Sequence, residues 1–359
     1  VAAESREEEE EATDTIVLPQ SPILELERLP KLASVYLGNH TLEWPSLEKL
    51  TIKDCPKLKT FAAACGYQGI EKLKANGERF EQKMEEGNLG DIIQPFFIEK
   101  VQLPALKELR IYRLQSLKQI WHNQFPAESF SQLRVLKVKK CDKLLKVAPS
   151  NLLRMLQNLE KLSVEECDPM EEVLELEGLL AVEHYADVLL SQLRELKLHN
   201  LPKLAEMWWN KDCNGILGCP NLSSLKVINC DRLRNIFLPS VVKGFVHLEE
   251  LHIANCLIME EVVGKEEQGE DFGDEVVFPQ VHTLVLANLP NLKSFCSGNL
   301  TLEWPSLETV KVEDCPKMRT FSSGLLITPK LNAIKVRDQE QLWKGDLNST
   351  IQNLFKVKY

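Results

Sequence analysis

One phrase governs this chain. Leu222, Leu225, Val227, Cys230, Leu233 and Ile236 set the pattern L-x-x-L-x-V-x-x-C-x-x-L-x-x-I. It returns at Leu133, Leu136, Val138, Cys141, Leu144 and Val147, and again at Leu248, Leu251, Ile253, Cys256, Met259 and Val262. A phrase recurring at a steady spacing marks a stacked repeat protein, in which each unit packs only on its neighbours. The first position falls at Ser21, Leu47, Leu106, Leu133, Leu159, Leu193, Leu222, Leu248, Val281, Leu307 and Leu331, with most gaps between 24 and 34 residues. The gap of 59 after Leu47 leaves room for a degenerate unit near Ile70 and Leu73.

A longer period overlies the short one. Four units carry leucine in place of the cysteine, at Leu29, Leu114, Leu201 and Leu289, stepping by 85, 87 and 88 residues. Residues 39–61 and 299–321 agree at 15 of 23 positions. Duplication of a block of three units accounts for both.

Within a unit, the alternation Leu225-x-Val227 has the period of two of a strand, so Lys226 faces away from the core. Stacked units give a parallel sheet on the concave side of a solenoid. The return path is expected to be irregular or short-helical: Leu152, Leu153 and Leu156 fall on one helical face, and Pro239-Ser-Val-Val is the matching stretch one block later. The fold class is therefore α/β, a horseshoe with a concave parallel β-sheet. Length alone, at 359 residues, suggests two or three domains; a solenoid is exempt from that rule. The organisation expected is an acidic linker at 1–15, a repeat domain of about 11–12 units at 16–345, and a capping helix at 346–359. In that helix Asp346 caps Leu347, Ile351, Leu354 and Phe355, and Trp343 covers the end of the core. The opening Val1-Ala-Ala-Glu-Ser-Arg reads as the middle of a longer chain.

Ten cysteines are present, and Cys55, Cys141, Cys167, Cys230, Cys256 and Cys315 share one slot of the phrase. Cysteines in one repeat slot read as small buried hydrophobes in a reducing compartment, not as a disulfide framework. This places the chain in the cytoplasm. Its composition, 44% apolar and 27% charged, is that of a soluble protein, and no apolar run reaches the length of a membrane span. The net charge of −10 argues against a nucleic-acid binder.

No catalytic constellation stands out. Phosphate loops, dinucleotide fingerprints, nucleophile elbows and metalloprotease motifs are missing. Cys213 and Cys219 lack two further zinc ligands nearby. His199 and His252 read as polar strand surface. Sequons occur at Asn39, Asn221, Asn299 and Asn348, and matter only in an extracellular chain. The expectation is a protein that is no enzyme and holds neither metal nor cofactor.

The informative pattern is a charge column. The residue between the two central apolar positions reads Glu25, Thr51, Arg110, Lys137, Ser163, Lys197, Lys226, His252, Val285, Lys311 and Lys335. Six of these eleven are basic, while acids gather in loops, at Glu171, Glu172, Glu175 and Glu177 and from Glu260 to Glu275. Alternating strand surfaces favour long solvated side chains in any case; a basic stripe facing an acidic partner is the functional alternative. Its residues are Arg110, Lys137, Lys197, Lys226, His252, Lys311 and Lys335.

At Leu133-Arg-Val-Leu-Lys-Val-Lys-Lys-Cys-Asp-Lys-Leu, at Leu159-Glu-Lys-Leu-Ser-Val-Glu-Glu-Cys, in the Met-Glu-Glu-Val ending at Val173 and Val262, and in the terminal Leu342-Trp-Lys-Gly-Asp-Leu-Asn, the chain resembles a known family. It is similar to the leucine-rich-repeat region of plant intracellular immune receptors of the coiled-coil, nucleotide-binding class, over residues 16–359. Extracellular plant repeat receptors keep a stricter unit with Asn in the cysteine slot. The resemblance implies a leucine-rich-repeat solenoid that senses pathogen effectors in plant defence and holds a switch domain off. Its implied partners are the nucleotide-binding switch domain of the same receptor and a pathogen effector or guarded host protein. ADP or ATP would bind that switch domain, which is absent from these residues. A substrate-receptor arm of a ubiquitin ligase and an extracellular ligand-binding receptor use the same architecture. The first needs an N-terminal adaptor-binding module that these residues do not contain; the second is favoured only by the sequons.

Overall fold

The alternation of the phrase builds one long sheet. The structure, a computed structural model, describes residues 15–18, 20–38, 40–63, 95–122, 129–175, 190–211, 219–265, 275–336 and 341–356. The acidic stretch before Thr15, the degenerate unit near Ile70 and Leu73, and Glu266 to Asp274 lie outside these residues. Among the described residues, eleven strands pair in parallel, beginning with Ile23–Glu27, Lys49–Lys53, Glu108–Tyr112 and Val135–Lys139. They continue through Lys161–Glu165, Glu195–His199, Ser224–Ile228 and Glu250–Ala254 to Thr283–Ala287, Thr309–Glu313 and Ile334–Lys335. This is a leucine-rich-repeat solenoid. A last strand, Gln341–Leu342, runs antiparallel to Ile334–Lys335 and closes the sheet at that end.

Register is exact from coil to coil. Leu225 pairs with Leu196 on one side and Leu251 on the other, and Val227 with Leu198 and Ile253. All six are buried to within 1%. The core is therefore a set of apolar rows running along the solenoid. The first leucine of the phrase, the slot residue and the two apolar positions after it fill the space behind the sheet. A one-residue slip would turn every row to the wrong face, so burial of one face fixes the register.

Ten of the eleven parallel strands end on the same backbone device. Arg28, Asp54, Arg113, Lys140, Glu166, Asn200, Asn229, Asn255, Asn288 and Asp314 have φ between 46 and 56°. All stand immediately before the slot. The left-handed conformation turns the chain sharply so that the next residue points inward. It also keeps the turning residue in the ladder, since Lys140 N–H donates to Glu165 O at 2.9 Å and Asn229 N–H to Ala254 O at 3.0 Å. Six of the ten are Asn or Asp, the side chains that tolerate this region best. A tight turn follows, closed by bonds such as Leu58 N–H to Cys55 O at 3.0 Å and Leu144 N–H to Cys141 O at 3.1 Å.

The convex side is more ordered than the irregular or short-helical return that the sequence suggests. Short parallel strands stack there, with Thr15–Val17, Thr41–Glu43 and Val101–Gln102 in one group, and Glu275–Val277, Thr301–Glu303 and Leu326–Ile327 in another. Their partners are supplied by neighbouring coils, so no local signal announces them. Helical returns are brief: 3₁₀ turns at Ser150–Leu152 and Trp208–Lys211 and one α-helical turn at Pro239–Val242. Leu152, Leu153 and Leu156 are all buried even so. Aromatic rings fill the wider space on this side. Trp121 stacks on Phe97 at 5.5 Å and Trp304 on Phe278 at 4.2 Å. Trp121 Nε1 donates to Val147 O and Trp209 Nε1 to Ile236 O, both at 2.8 Å, in equivalent places of successive blocks.

The C-terminal end is closed by the helix Leu347–Lys356. Asp346 Oδ1 accepts from Ser349 N–H at 2.8 Å, the geometry of an N-cap, and Leu347 and Ile351 are fully buried. Asn348 serves backbone groups that no strand pairs among the described residues: its Oδ1 accepts from Phe321 N–H and Ser322 N–H, and its Nδ2 donates to Ser322 O.

The left-handed residues give a direct test. Asn229→Val should lower stability by about 1–2 kcal/mol, because a β-branched side chain is strained there. Lys140→Asn should raise it by about 0.5 kcal/mol. Urea unfolding of both variants measures this; a stabilising Asn229→Val or a clearly destabilising Lys140→Asn would contradict the turn assignment.

Candidate protein-binding face

The concave face is presented by the first, third and fifth residues of each strand. The third residues form one continuous row. Glu25, Thr51, Arg110, Lys137, Ser163, Lys197, Lys226, His252, Val285, Lys311 and Lys335 follow one another by direct strand pairing. Neighbouring strands are about 4.8 Å apart. Arg110, Lys137, Lys197, Lys226, His252 and Lys311 are half-buried, and Lys335 is exposed.

Flanking carboxylates answer most of these cations. Arg110 Nη2 lies 2.5 Å from Glu108, Lys197 Nζ 2.7 Å from Glu165, Lys226 Nζ 3.7 Å from Glu250 and Lys311 Nζ 3.0 Å from Glu313. Lys137 and Lys335 have no carboxylate partner among the described residues. The column is thus a row of paired charges with open cations at Lys137 and at the C-terminal end.

Glu165 is the hub of the middle section. It accepts from Lys197, from Lys139 at 3.1 Å and from Ser163 Oγ at 2.9 Å, and His199 Nδ1 stands 3.8 Å away. Burial works against its charge, but the bonds from Lys197, Lys139 and Ser163 outweigh it and hold its pKa down to about 2. A depression of about 420 Å³ opens beside it, lined in part by Tyr112, Lys137, Lys161, Glu195 and Lys226. Further along, His252 is pushed below its ordinary value by burial and then by Lys226 and Lys311. Beyond Lys226 the face becomes small and nearly uncharged, with Ile228, Ala254, Val285 and Ala287 on it. Sequence reading finds the column; it misses the carboxylates, because a pair across strands exists only once register is known.

The slot cysteines lie behind this face. Cys55, Cys141, Cys167, Cys230, Cys256 and Cys315 are unbridged and fully buried. Each thiol donates to the carbonyl two residues back, as Cys167 to Glu165 O at 3.4 Å and Cys315 to Glu313 O at 3.2 Å. Burial pushes the Cys256 and Cys315 thiols up to about 12 and the Cys230 thiol well above its usual range. The Cys167 sulfur and burial raise Cys141 likewise. These thiols are structural. Cys219 is also buried, and Cys213 lies outside the described residues.

Two sequons are occupied by structure. Asn221 Nδ2 donates to Ser191 O at 2.7 Å, and Asn348 is held as described above. Asn299 is exposed, and Asn39 lies outside the described residues. No helix among the described residues is long and apolar enough to cross a membrane.

Comparison with known proteins agrees with this architecture. The family model for "Plant disease resistance protein RPS2-like, leucine-rich repeats" matches residues 105–257 and 245–340. A probable disease resistance protein of Arabidopsis thaliana is 28% identical over 152 residues, which cover 40% of this chain and 16% of that protein. A second from the same plant is 35% identical over 72 residues, 20% of this chain and 8% of that protein. A probable disease resistance RPP8-like protein, also from Arabidopsis thaliana, is 24% identical over 129 residues, 32% of this chain and 14% of its own length. The matched stretches thus span less than a fifth of each relative. A solved plant peptide hormone receptor, RGFR1 in complex with RGF2, aligns over 90% of this chain and 58% of its own at 12% identity, with a TM-score of 0.18, too low to carry an argument.

The Glu165 hub predicts a pH signature. Its folded pKa of about 2 lies below the ordinary 4.5. Its stabilisation is therefore complete above about pH 4.5 and lost as pH falls toward 2. Glu165→Gln should cost on the order of 1 kcal/mol at neutral pH, after screening by solvent. The gap between variant and wild type should close through that window. A gap independent of pH in urea melts would show that the carboxylate's charge is not what matters.

Proposed function

Because the chain belongs to the RPS2-like leucine-rich-repeat family of plant disease resistance proteins, we propose that it is the recognition and autoinhibitory module of such a receptor. In this reading the concave face meets two partners at different times. At rest it holds the nucleotide-binding switch domain of the same receptor. On infection it engages a pathogen effector or a guarded host protein. The module does no chemistry; nucleotide exchange belongs to the switch domain, and the repeat arm works in the cytosol.

The observation that carries this reading is the register-locked concave row. Eleven parallel strands present the third-position side chains as one rigid line, pre-organised before any partner arrives. Pre-organisation lowers the ordering cost of association. The pairing of Arg110, Lys197, Lys226 and Lys311 with carboxylates of the same face suits a surface that must exchange partners. An acidic residue arriving from outside competes with Glu165 or Glu250 for a lysine already in place, so the contact gives specificity more than raw affinity. Lys137, with no internal carboxylate among the described residues, is the natural anchor. The unbridged slot thiols support a reducing compartment.

The test is charge reversal. Lys137→Glu, Lys197→Glu and Lys226→Glu together should weaken binding to the switch domain of the receptor carrying this chain by about tenfold or more, since three cations become like charges. All three side chains lie on the solvent side of the sheet, so the variant stays folded, with a loss of stability on the order of 1 kcal/mol because Lys197 no longer bonds Glu165 and Lys226 no longer faces Glu250; thermal melts establish the fold. A pull-down at fixed salt measures the binding, and an unchanged affinity would overturn the assignment of this face.

A further inference from the structure

Among the described residues, a row of cations without ion partners lies on the flank rather than on the concave face. After each slot the chain makes a tight turn, and ten such turns stack. The second residue after the slot is basic in six of them, at Lys31, Lys57, Lys143, Lys203, Arg232 and Lys317. All six are exposed, and none makes an ion pair among the described residues. Neighbours in this row touch: Lys317 Nζ donates to Asn291 Oδ1 at 2.5 Å, and Asn291 Nδ2 to Leu257 O at 2.7 Å. The fourth residue after the slot adds a parallel row in which five of ten are basic, including Lys59, Arg234 and Arg319, against the acids Glu171 and Glu260. The first residue after the slot is acidic in three turns, at Asp142, Asp168 and Asp231, so this edge of a chain of net charge −10 carries an excess of cations rather than cations alone, over about 45 Å at one strand spacing per coil.

The same turns carry exposed aliphatic side chains. Leu257 is 51% exposed, Ile258 40% and Leu145 54%. Leu257 and Ile258 stand where most other turns have Pro or Asp followed by Lys or Arg.

We propose that this flank docks on an anionic lipid bilayer, laying the edge of the solenoid flat on the leaflet. Eight of the ten stacked turns present a cation at the second or fourth position along one edge, which a plane of phosphate headgroups can meet. Leu145, Leu257 and Ile258 enter the headgroup boundary, as aliphatic side chains among cations do at membrane surfaces. A protein partner would call for buried aromatic anchors in a packed centre, and the exposed large apolar side chains of the described residues are all Val, Leu or Ile. Single-stranded nucleic acid would call for aromatic stacking platforms, which the flank also lacks. With the flank on the leaflet, the concave face stays open to a protein partner.

Co-sedimentation of the full chain with vesicles of phosphatidylcholine, with and without phosphatidylserine, tests this. Binding is expected only with phosphatidylserine, falling as salt rises. Lys57→Glu, Lys143→Glu and Arg232→Glu together should weaken it by about tenfold or more, and Leu257→Ser with Ile258→Ser should weaken it without changing charge. Reversal of Lys137, Lys197 and Lys226 on the concave face should leave vesicle binding within about twofold. Thermal melts of the variants establish that each is folded, and the neutral set Lys57→Gln, Lys143→Gln and Arg232→Gln replaces any that is not. Binding to neutral vesicles, retention by the flank variants, or equal loss in the concave variant would overturn the proposal. So would duplex DNA bound as tightly as the anionic vesicles.

Discussion

Every feature of this molecule depends on the inability of one coil to bury its own core. A coil holds a handful of apolar side chains and some two dozen residues of backbone, and its strand exposes N–H and C=O groups on both edges. Only a neighbour in register covers the leucine rows and completes the ladder. The slot residue is the narrowest point of that arrangement. Cys230 and its equivalents sit directly behind a left-handed turn, with the thiol bonded to the carbonyl two residues back. A cysteine fits because it is small, apolar and still able to donate one weak hydrogen bond. Where Leu114, Leu201 and Leu289 take the slot they are buried as completely. At the first coil Leu29 is 38% exposed, since no described residue packs against that end.

Register then decides the electrostatics. Because strands pair residue for residue, a side chain on the concave face finds its counter-charge on the same or an adjacent strand, as Lys197 finds Glu165 and Lys161 finds Glu195. Such half-exposed pairs contribute little to stability. Their effect is to keep the concave face locally balanced. The turns carry carboxylates as well, at Asp142, Asp168 and Asp231, and a pair between Lys293 and Glu260, but Lys31, Lys57, Lys143, Lys203, Arg232 and Lys317 make no ion pair among the described residues. Hence the two surfaces differ, one a mosaic of paired charges with a small neutral section toward Val285, the other holding a row of exposed cations without ion partners.

Much of this was legible in the sequence. The period of two in Leu225-x-Val227 placed the strands, the shared slot gathered six cysteines, and the spacing of the third positions aligned Arg110 through Lys335. Three things were not legible. The left-handed turn is announced by Asn229 or Asp314 but not by Arg113, Lys140 or Glu166, which accept the strain because the next residue must point inward. The convex strands Thr41–Glu43 and Thr301–Glu303 exist through partners in other coils. The neutralisation of Lys197 and Lys226 depends on neighbours that a linear reading does not bring together. In each case the missing information is long-range.

Family membership places the repeat arm among plant disease resistance proteins, and the physical account rests on the stacked, buried slot. Thiol labelling followed by mass spectrometry tests it most directly. In the native chain the six slot cysteines should stay unmodified by a small thiol reagent for as long as the coils are stacked, and react together when denaturant unfolds them. Rapid labelling of Cys141 and Cys230 in the folded protein would contradict the ladder and, with it, the register on which both proposed surfaces depend.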